Sequence, residues 1–579
     1  MDIKKLKILF ILSLVISILI AVAAFIAGKQ LSRSYYWLGL WAFPFFLLTY
    51  HWHLRLKEAG LRLHLKNTWG SPDDRQRDFE EIPFYFRMIP NNRSGETVLD
   101  DRTWSDLDMD LVFSRVDRTL SVPGEQILYS FLRRPLLNFQ GLEERHRWID
   151  LFLRDSALRE NCRSILAKIG RKEGGALPEL LWNDPTGKIP KAFLLILLPI
   201  LLTGFGILLL FSHSWAWYGL AAVLLVNMII HYRAKRTIGE YVASIRYLGR
   251  MISWARKLAG FEYAGLDESM NVLRSELKSV SKIARKGVYL VAPEWNNFLY
   301  DYVNIVYLIE VKAFSRIRKM IEVHRHELQH IFERLGFIDA MLSIASYRVG
   351  IRGYCEPRFT DAGPRLEFQS AGHPLVENSI PNSLSMNSSG ALITGSNMSG
   401  KTTFLKTIGV NAVLAQTIFT CMAKTYQTCF FRVATLIGRK DNLIEGKSYY
   451  LDEIQALLRL LAPKTDSVAD LCLLDELFRG TNSVERIAAS VEVLLYLGKR
   501  NGCTLASTHD LEITDLVGSG FMNFHFQEKI EEEGIAFNYK LMDGPSTTRN
   551  AIKLLSSVGY PSEIVEAAER RVRSLNPTD

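Results

Sequence analysis

The chain has no Cys-x-x-Cys pair. Its six cysteines (Cys162, Cys355, Cys421, Cys429, Cys472, Cys503) are scattered over 579 residues. That usage excludes a disulfide-stapled secreted scaffold and suits a reducing compartment. Internal repeats and low-complexity segments are also lacking, which excludes a solenoid or a disordered linker as the main architecture. The charge balance is nearly even: 70 Lys+Arg against 61 Asp+Glu gives a formal +9. So small and thinly spread an excess suits nucleic acid or anionic lipid and selects neither. With 579 residues there is ample length for several domains.

Long hydrophobic runs are present. Ile8 to Ala27 is uncharged and apolar, and a shorter run covers Tyr35 to Tyr50. A second pair, Phe193 to Phe211 and Trp215 to Tyr232, is joined by Ser212-His213-Ser214. A cleaved leader is disfavoured for the first run, because Gly28-Lys29-Gln30 is a poor cleavage site and another apolar run follows at once. The expectation is four transmembrane helices in two hairpins, with Trp37, Trp41, Trp215 and Trp217 near the interfaces. Lys4, Lys5 and Lys7, then Arg55 and Lys57, then Arg233, Lys235 and Arg236 flank the runs on one side. By the positive-inside rule this predicts a multi-pass protein of the inner (cytoplasmic) membrane with its C-terminal half in the cytoplasm.

Residues 57–190 read as globular and mainly helical. Residues 237–346 hold a single proline, Pro293, and amphipathic runs such as Tyr302 to Arg334, which predict long helices acting as levers. Within them, His326-Glu327-Leu328-Gln329-His330 matches H-E-x-x-H. Two histidines at i and i+4 suit zinc, with Glu327 as base. The charged neighbours Lys319, Glu322, Arg325 and Glu333 instead favour a solvated helix face, and no third ligand is apparent.

The chemistry concentrates further on. Gly395-Ser396-Asn397-Met398-Ser399-Gly400-Lys401-Thr402 is a complete G-x-x-x-x-G-K-[ST] nucleotide loop. It lies between a strand-like Ala391–Thr394 and a helical stretch from Thr403 to Gln416. In that context backbone N–H groups and a helix N-terminus converge on phosphate, Lys401 reaches the β/γ-phosphates, and Thr402 offers a hydroxyl to Mg²⁺. ATP or GTP is the expected ligand. Leu471 to Glu476 reads as an apolar strand ending in two carboxylates, with Asp475 in the Mg²⁺ shell and Glu476 polarising the attacking water. A third strand-like segment, Leu505 to His509, brings His509 toward the γ-phosphate or that water.

No LSGGQ-like signature precedes the Asp-Glu strand, as it would in a transporter ATPase. A Gly480-Thr481-Asn482-Ser483 turn follows it instead. This order resembles the MutS family, the DNA mismatch-repair ATPases, whose acidic strand is followed by Gly-Arg-Gly-Thr-Ser. Gly438 to Leu443, Gly446-Lys447-Ser448 and Glu453 are similar to the family's segment between nucleotide loop and acidic strand. Tyr539-Lys540-Leu541, Gly544, and Leu555 through Gly559-Tyr560-Pro561 to Ala567 resemble its closing element, and His373-Pro374 its approach to the loop. The likeness covers residues 347–570. A looser one spans Val116-Asp117-Arg118-Thr119 and Gly124 through Pro135, which look like the family's helical core.

The resemblance implies an α/β P-loop ATPase domain (ABC/MutS-like) on a mainly helical core, using ATP and Mg²⁺. It also implies double-stranded DNA as ligand and a homodimer with composite ATP sites. In such a dimer Asn482 or Ser483 would reach the partner's nucleotide, and Thr403 would join the loop in binding its own. The expected division is 1–56 and 191–236 as membrane hairpins, 57–190 as helical core, 237–346 as levers and 347–579 as ATPase domain. Mismatch-sensing members carry a Phe-x-Glu wedge. Here the match Phe526-Gln527-Glu528 falls inside the ATPase region. With no room for a wedge domain and no C-terminal endonuclease module, wedge-type mismatch recognition is not expected. Mismatch repair or DNA-structure sensing remains the implied role. The rival expectation is a membrane-tethered ATPase switch acting on a protein or on the bilayer.

Overall fold

A computed structural model describes residues 3–90, 95–183, 192–211, 213–263, 267–281, 305–387, 390–396, 399–438, 449–462, 467–531, 534–546, 555 and 559–575. Helix α1 (Ile3–Gln30) leads through a 3-10 segment (Arg33–Trp41) to α2 (Ala42–Asn67). The two helices pack as a hairpin along a thin polar seam. Thr49 Oγ1 donates to Ser13 Oγ at 3.0 Å, and Ser17 Oγ donates to the Ala42 carbonyl at 3.1 Å. The outer face of α1 is apolar and exposed: Ile8 is 64% and Leu19 61% accessible.

The helical body is assembled by well-capped helices. Ser121, Asn138 and Asp155 each accept an N–H from the third residue on, starting α3 (Val122–Arg133), α4 (Phe139–Arg154) and α5 (Ser156–Ile169). Next come α6 (Ala192–Leu210), α7 (Ala216–Leu258), α8 (Asp267–Ser279), α9 (Ile309–Val323) and α10 (Arg325–Gly350). Helix α10 is the central post. From Leu328 to Arg348 most of its side chains are buried, apolar ones such as Phe332, Leu335 and Met341 among them. Its Asp339 is buried and accepts from Leu120 N, Ser121 N and Ser121 Oγ (3.0, 2.8 and 2.5 Å), fastening the start of α3. Burial pushes this carboxyl up to about 6.

The expectation of four membrane-crossing helices is corrected here. Among the described residues, α1 alone is long and apolar enough to cross a bilayer by length and composition. The second run is divided between the 3-10 segment and α2, and α2 soon meets His51, His53, Arg55 and Lys57. Within α6, the apolar stretch among the fully described residues is Leu197–Leu210. Helix α7 runs unbroken for 43 residues and contains buried Asn227 and His231. Asn227 Nδ2 donates to the Val306 carbonyl at 2.8 Å, so this helix pairs polar groups with protein. The predicted lever from Tyr302 to Arg334 is likewise two helices, α9 and α10, broken at His324.

The C-terminal part contains two sheets. One joins β1 (Arg358–Phe359), β2 (Arg365–Ala371), β3 (Asn382–Asn387) and, from further along the chain, β5 (Thr425–Thr428) in the order β1-β5-β2-β3. The other consists of β4 (Gly390–Thr394), β6 (Phe431–Leu436), β7 (Ala469–Asp475), β8 (Gly502–Thr508), β9 (Phe521–Glu531) and β10 (Gly534–Asp543). Its order is β10-β9-β4-β8-β7-β6, parallel throughout except for the edge strand β10. Strands β4, β7 and β8 are almost wholly buried, as parallel strands covered on both faces must be. Helices α11 (Lys401–Ile418), α12 (Tyr449–Leu461) and α13 (Ser483–Gly498) connect them.

Helix α11 ties this sheet to the helical body. Gln416 donates to the Leu136 and Phe431 carbonyls and accepts from Phe431 N, while Arg145 donates to the Thr417 carbonyl. From α10, Arg348 reaches the Phe419 carbonyl at 2.6 Å and Thr420 Oγ1 at 2.9 Å, just beyond the end of α11. Each of these buried polar groups is costly to leave unpaired, so the two parts are held in register by hydrogen bonds as well as packing.

Candidate active site

Strands β4, β7 and β8 are neighbours in the parallel sheet, so their C-terminal ends open on one edge. In such sheets that edge is where ligands bind. Gly395 follows β4 with φ +135°, and a Cβ there would stand 2.9 Å from the Phe526 carbonyl. Gly400 at φ +104° precedes α11, whose first turn begins with Phe404 N donating to the Gly400 carbonyl. Both positions need glycine's freedom, and together they turn the chain back on itself at a helix N-terminus.

Lys401 is folded into this turn. Its Nζ donates to the Gly395 and Ser396 carbonyls at 2.7 Å each and lies 4.0 Å from Glu476 Oε1. Ser399 Oγ donates to the Ser396 carbonyl at 2.8 Å, while the Ser396 hydroxyl oxygen is buried without a partner among the described residues. Thr402 Oγ1 donates to Asp475 Oδ2 at 2.9 Å, and Ser507 Oγ donates to the other oxygen of Asp475. Thr403 lies in the first turn of α11. Asn397 and Met398 lie outside the described residues.

Glu476 stands just past β7 in the left-handed region, φ +50°, and Phe478 repeats it at φ +57°. Such backbone needs to be held by its surroundings. Glu476 N donates to the Ser507 carbonyl, and Phe478 N donates to the buried Glu453 carboxylate at 2.5 Å. Around the Glu476 carboxylate, His509 Nε2 lies 2.6 Å from Oε1 and Arg479 pairs with Oε2. Burial would raise this carboxyl. The His509 hydrogen bond, then the charges of His509, Arg479 and Lys401, outweigh burial and hold it below the usual carboxylate range. The carboxylate is therefore ionised near neutral pH, the form a general base needs.

The Gly480–Ser483 turn opens α13. Asn482 caps it, with Oδ1 accepting from Glu485 N at 3.0 Å, and Ser483 is the first helical residue. One turn on, Arg486 grips both oxygens of Asp510 at 2.8 and 2.7 Å, tying this helix start to the residue after His509. Four groups were not assigned a role from sequence: Arg479, Glu453, Ser507 and the Arg486–Asp510 pair. Arg479 and Glu453 sit inside family-like segments, which was a usable signal. Ser507 and Asp510 flank the strand end with no pattern of their own.

His373, in the His-Pro pair before the loop, is buried. Its Nδ1 accepts from Leu375 N at 3.2 Å, and burial, then the charge of Lys406, lowers its pKa to about 4. Phe526 is only 2% exposed and packs edge-on against Phe404, so the phenylalanine of the Phe-x-Glu match belongs to the core of the domain. His326 and His330 lie side by side on α10, ring centres 4.1 Å apart and planes tilted by 54°, and His330 Nδ1 pairs with Glu276 of α8 at 2.8 Å. Among the described residues no three His, Cys, Asp or Glu side chains group to hold a metal.

The donor set fits a magnesium nucleotide. There is a glycine turn at a helix N-terminus, a buried lysine, a hydroxyl–carboxylate pair and an unpartnered buried hydroxyl in the loop. Fold and site together define a P-loop α/β nucleotide-binding domain carried on a helical body. The MutS domain V family model matches residues 391–576. Over 508 residues the chain is 27% identical to the DNA mismatch repair protein MutS of Thermus aquaticus, covering 80% of this chain and 61% of that protein. The MutS of a Thermus thermophilus strain is 27% identical over 500 residues, 79% and 60% of the two chains. That of Thermotoga petrophila is 30% identical over 275 residues, 45% and 33%. Residues 391–576 thus match the MutS domain V family, and the similarity to these MutS proteins extends over about four fifths of the chain. It spans about three fifths of the length of the relatives it matches over the longest range.

Proposed function

We propose that the chain binds and hydrolyses ATP with Mg²⁺ and acts on double-stranded DNA, in mismatch repair or DNA-structure sensing. The observation that carries this reading is the convergence of Lys401, the Thr402–Asp475 pair and the Glu476–His509 pair on one sheet edge. Lys401 and the loop amides would hold phosphate oxygens, with Ser396 and Ser399 to Thr403 forming the cradle. Thr402 and Asp475 would hold Mg²⁺, which supplies charge neutralisation on the phosphates. Glu476 would accept a proton from the attacking water, with His509 and Arg479 fixing the carboxylate.

Coupling to the helical body would run along α11, which starts at the phosphate loop and ends against Arg348 of α10. The names of the relatives support DNA as the partner. The test is the ATPase rate of the purified chain with and without homoduplex, mismatched and branched DNA, together with salt-dependent duplex binding. Phosphate contacts give a steep fall of log affinity with log salt. A rate indifferent to every DNA, with no duplex binding at low salt, would reject the DNA half of the reading.

A second proposal concerns location. The exposed apolar surface of α1, with Trp37 at 73% and Trp41 at 68% accessible beyond it, supports attachment to the inner (cytoplasmic) membrane. The ATPase domain would lie on the cytoplasmic side. In that setting a protein or bilayer partner could replace DNA. Recovery of the full chain in the soluble fraction without detergent would dismiss this location.

A further inference from the structure

Helices α6 and α9 enclose a cleft of about 740 Å³ with two unlike walls. One wall is Leu195, Pro199, Ile200, Thr203, Gly204 and Ile207 of α6, and the other is Lys312, Ser315 and Arg316 of α9. The α6 wall is apolar apart from Thr203, whose hydroxyl is turned back to the Pro199 carbonyl at 2.7 Å. A Cβ at Gly204 would meet nothing within 4 Å, so the missing side chain leaves open space in the cleft. Among the described residues no carboxylate lines the cleft, and neither Lys312 nor Arg316 forms an ion pair with one of them. Burial, then the nearby Arg316 charge, holds the Lys312 ammonium below its usual range. Two cations with no carboxylate partner among the described residues, one helical turn apart and facing a hydrocarbon wall, are complementary to an anion attached to an acyl chain.

We propose that this cleft binds one anionic membrane phospholipid. Its phosphate sits on Lys312, Ser315 and Arg316, and an acyl chain lies along Ile200, Gly204 and Ile207. The volume is in the range of ordinary small-molecule sites. The proposal rests on the membrane location proposed above, but it is measured separately, by lipid binding in detergent rather than by fractionation.

The test uses the full-length chain in a neutral detergent. It is titrated with short-chain phosphatidylglycerol, with phosphatidylcholine of the same acyl length, and with inorganic phosphate. Saturable binding of about one phosphatidylglycerol is expected, with phosphatidylcholine about tenfold weaker or more. K312Q/R316Q should abolish that preference. G204F should weaken both lipids by filling the groove, while ATP binding in each variant reports that the chain is folded. Equal affinity for the two lipids, no lipid binding, or phosphatidylglycerol binding unchanged in both variants would overturn the proposal. So would inorganic phosphate competing at equal affinity, because the acyl chain would then contribute nothing.

Discussion

Glu476 and His509 meet 2.6 Å apart, Oε1 to Nε2, across the ends of the neighbouring strands β7 and β8. The contact joins the carboxylate best placed as a base to the residue that closes the next strand, and Lys401 lies within 4.0 Å of the same oxygen. Replacing Glu476 by Gln keeps the shape of the side chain and removes the base. E476Q should bind ATP with near-normal affinity and hydrolyse it about a hundredfold more slowly or worse. K401A should lose nucleotide binding itself, since the buried phosphate charge loses its main counter-charge. Equilibrium binding of a fluorescent ATP analogue and single-turnover hydrolysis separate the two. Near-normal turnover in E476Q would remove the base assignment.

Arg479 supplies a different lever on the same carboxylate. It pairs with Glu476 Oε2, and its positive charge contributes to lowering that pKa. Removing it in R479A should raise the Glu476 pKa, so a higher pH is needed to ionise the base. The acid limb of the kcat/KM profile should move to higher pH, while the basic limb stays in place. R479K should restore much of the shift, although a lysine cannot reproduce the guanidinium geometry. An acid limb identical in R479A and the parent chain would show that the ion pair does not tune catalysis.

Much of the site was legible because it is local in sequence. The loop from Gly395 to Thr402, and the strand ending at Asp475, each carry their chemistry within eight residues and lie where hydrophobic patterning puts a strand. The structure places Lys401, Thr402, Asp475, Glu476 and His509 on one sheet edge because β4, β8 and β7 are adjacent, a strand order that spacing alone does not give. Ser507 and Asp510 escaped notice for that reason. Their partners, Asp475 and Arg486, are 32 and 24 residues away.

The expectation of four membrane-crossing helices fails for a different reason. Run length in sequence does not show that α2 and α7 continue as single helices into charged and buried polar residues. The small sheet β1-β5-β2-β3 also went unread, because its short strands pair across the nucleotide loop.

Asp339 should be a keystone of the helical body. D339A leaves Leu120 N, Ser121 N and Ser121 Oγ without their buried acceptor, at a cost of about 3 kcal/mol in chemical denaturation. The sign of its pH dependence is set by a folded pKa of about 6, above the unfolded carboxylate value. The folded state binds the extra proton, so this contribution grows as pH falls through 6. The D339A penalty should be larger at pH 5 than at pH 7.5, by about 1 kcal/mol. A penalty independent of pH would mean that Asp339 does not titrate in this range.

His373 should act in the opposite sense. Its folded pKa of about 4 lies below the unfolded value near 6.5, so the unfolded chain takes up the proton first on acidification. Stability contributed by neutral His373 is present above pH 6.5 and is lost as pH falls toward 4, by up to about 3 kcal/mol. H373N keeps an acceptor for Leu375 N and cannot titrate. Its stability relative to the parent should therefore improve steadily between pH 7 and pH 5 in matched urea titrations. A constant difference would place the loss elsewhere.

The turn from Gly480 to Ser483 is the place where one chain would complete another's site. Asn482 already caps α13 through Glu485 N, so its side chain has an in-chain role. The remaining N–H groups at the start of that 16-residue helix still face outward with the positive end of its dipole. Lys401 and the start of α11 would serve the chain's own nucleotide, which would leave this second donor set for a different one. We therefore expect a homodimer with two composite ATP sites, each finished by Asn482 or Ser483 of the other subunit. K401A and N482A/S483A should each be inactive alone. Mixed dimers should recover activity, because one of their two sites then combines an intact Lys401 with an intact turn. Recovery measured on tagged, verified heterodimers should approach half the parental rate. Its absence would leave the turn as a cap for its own helix.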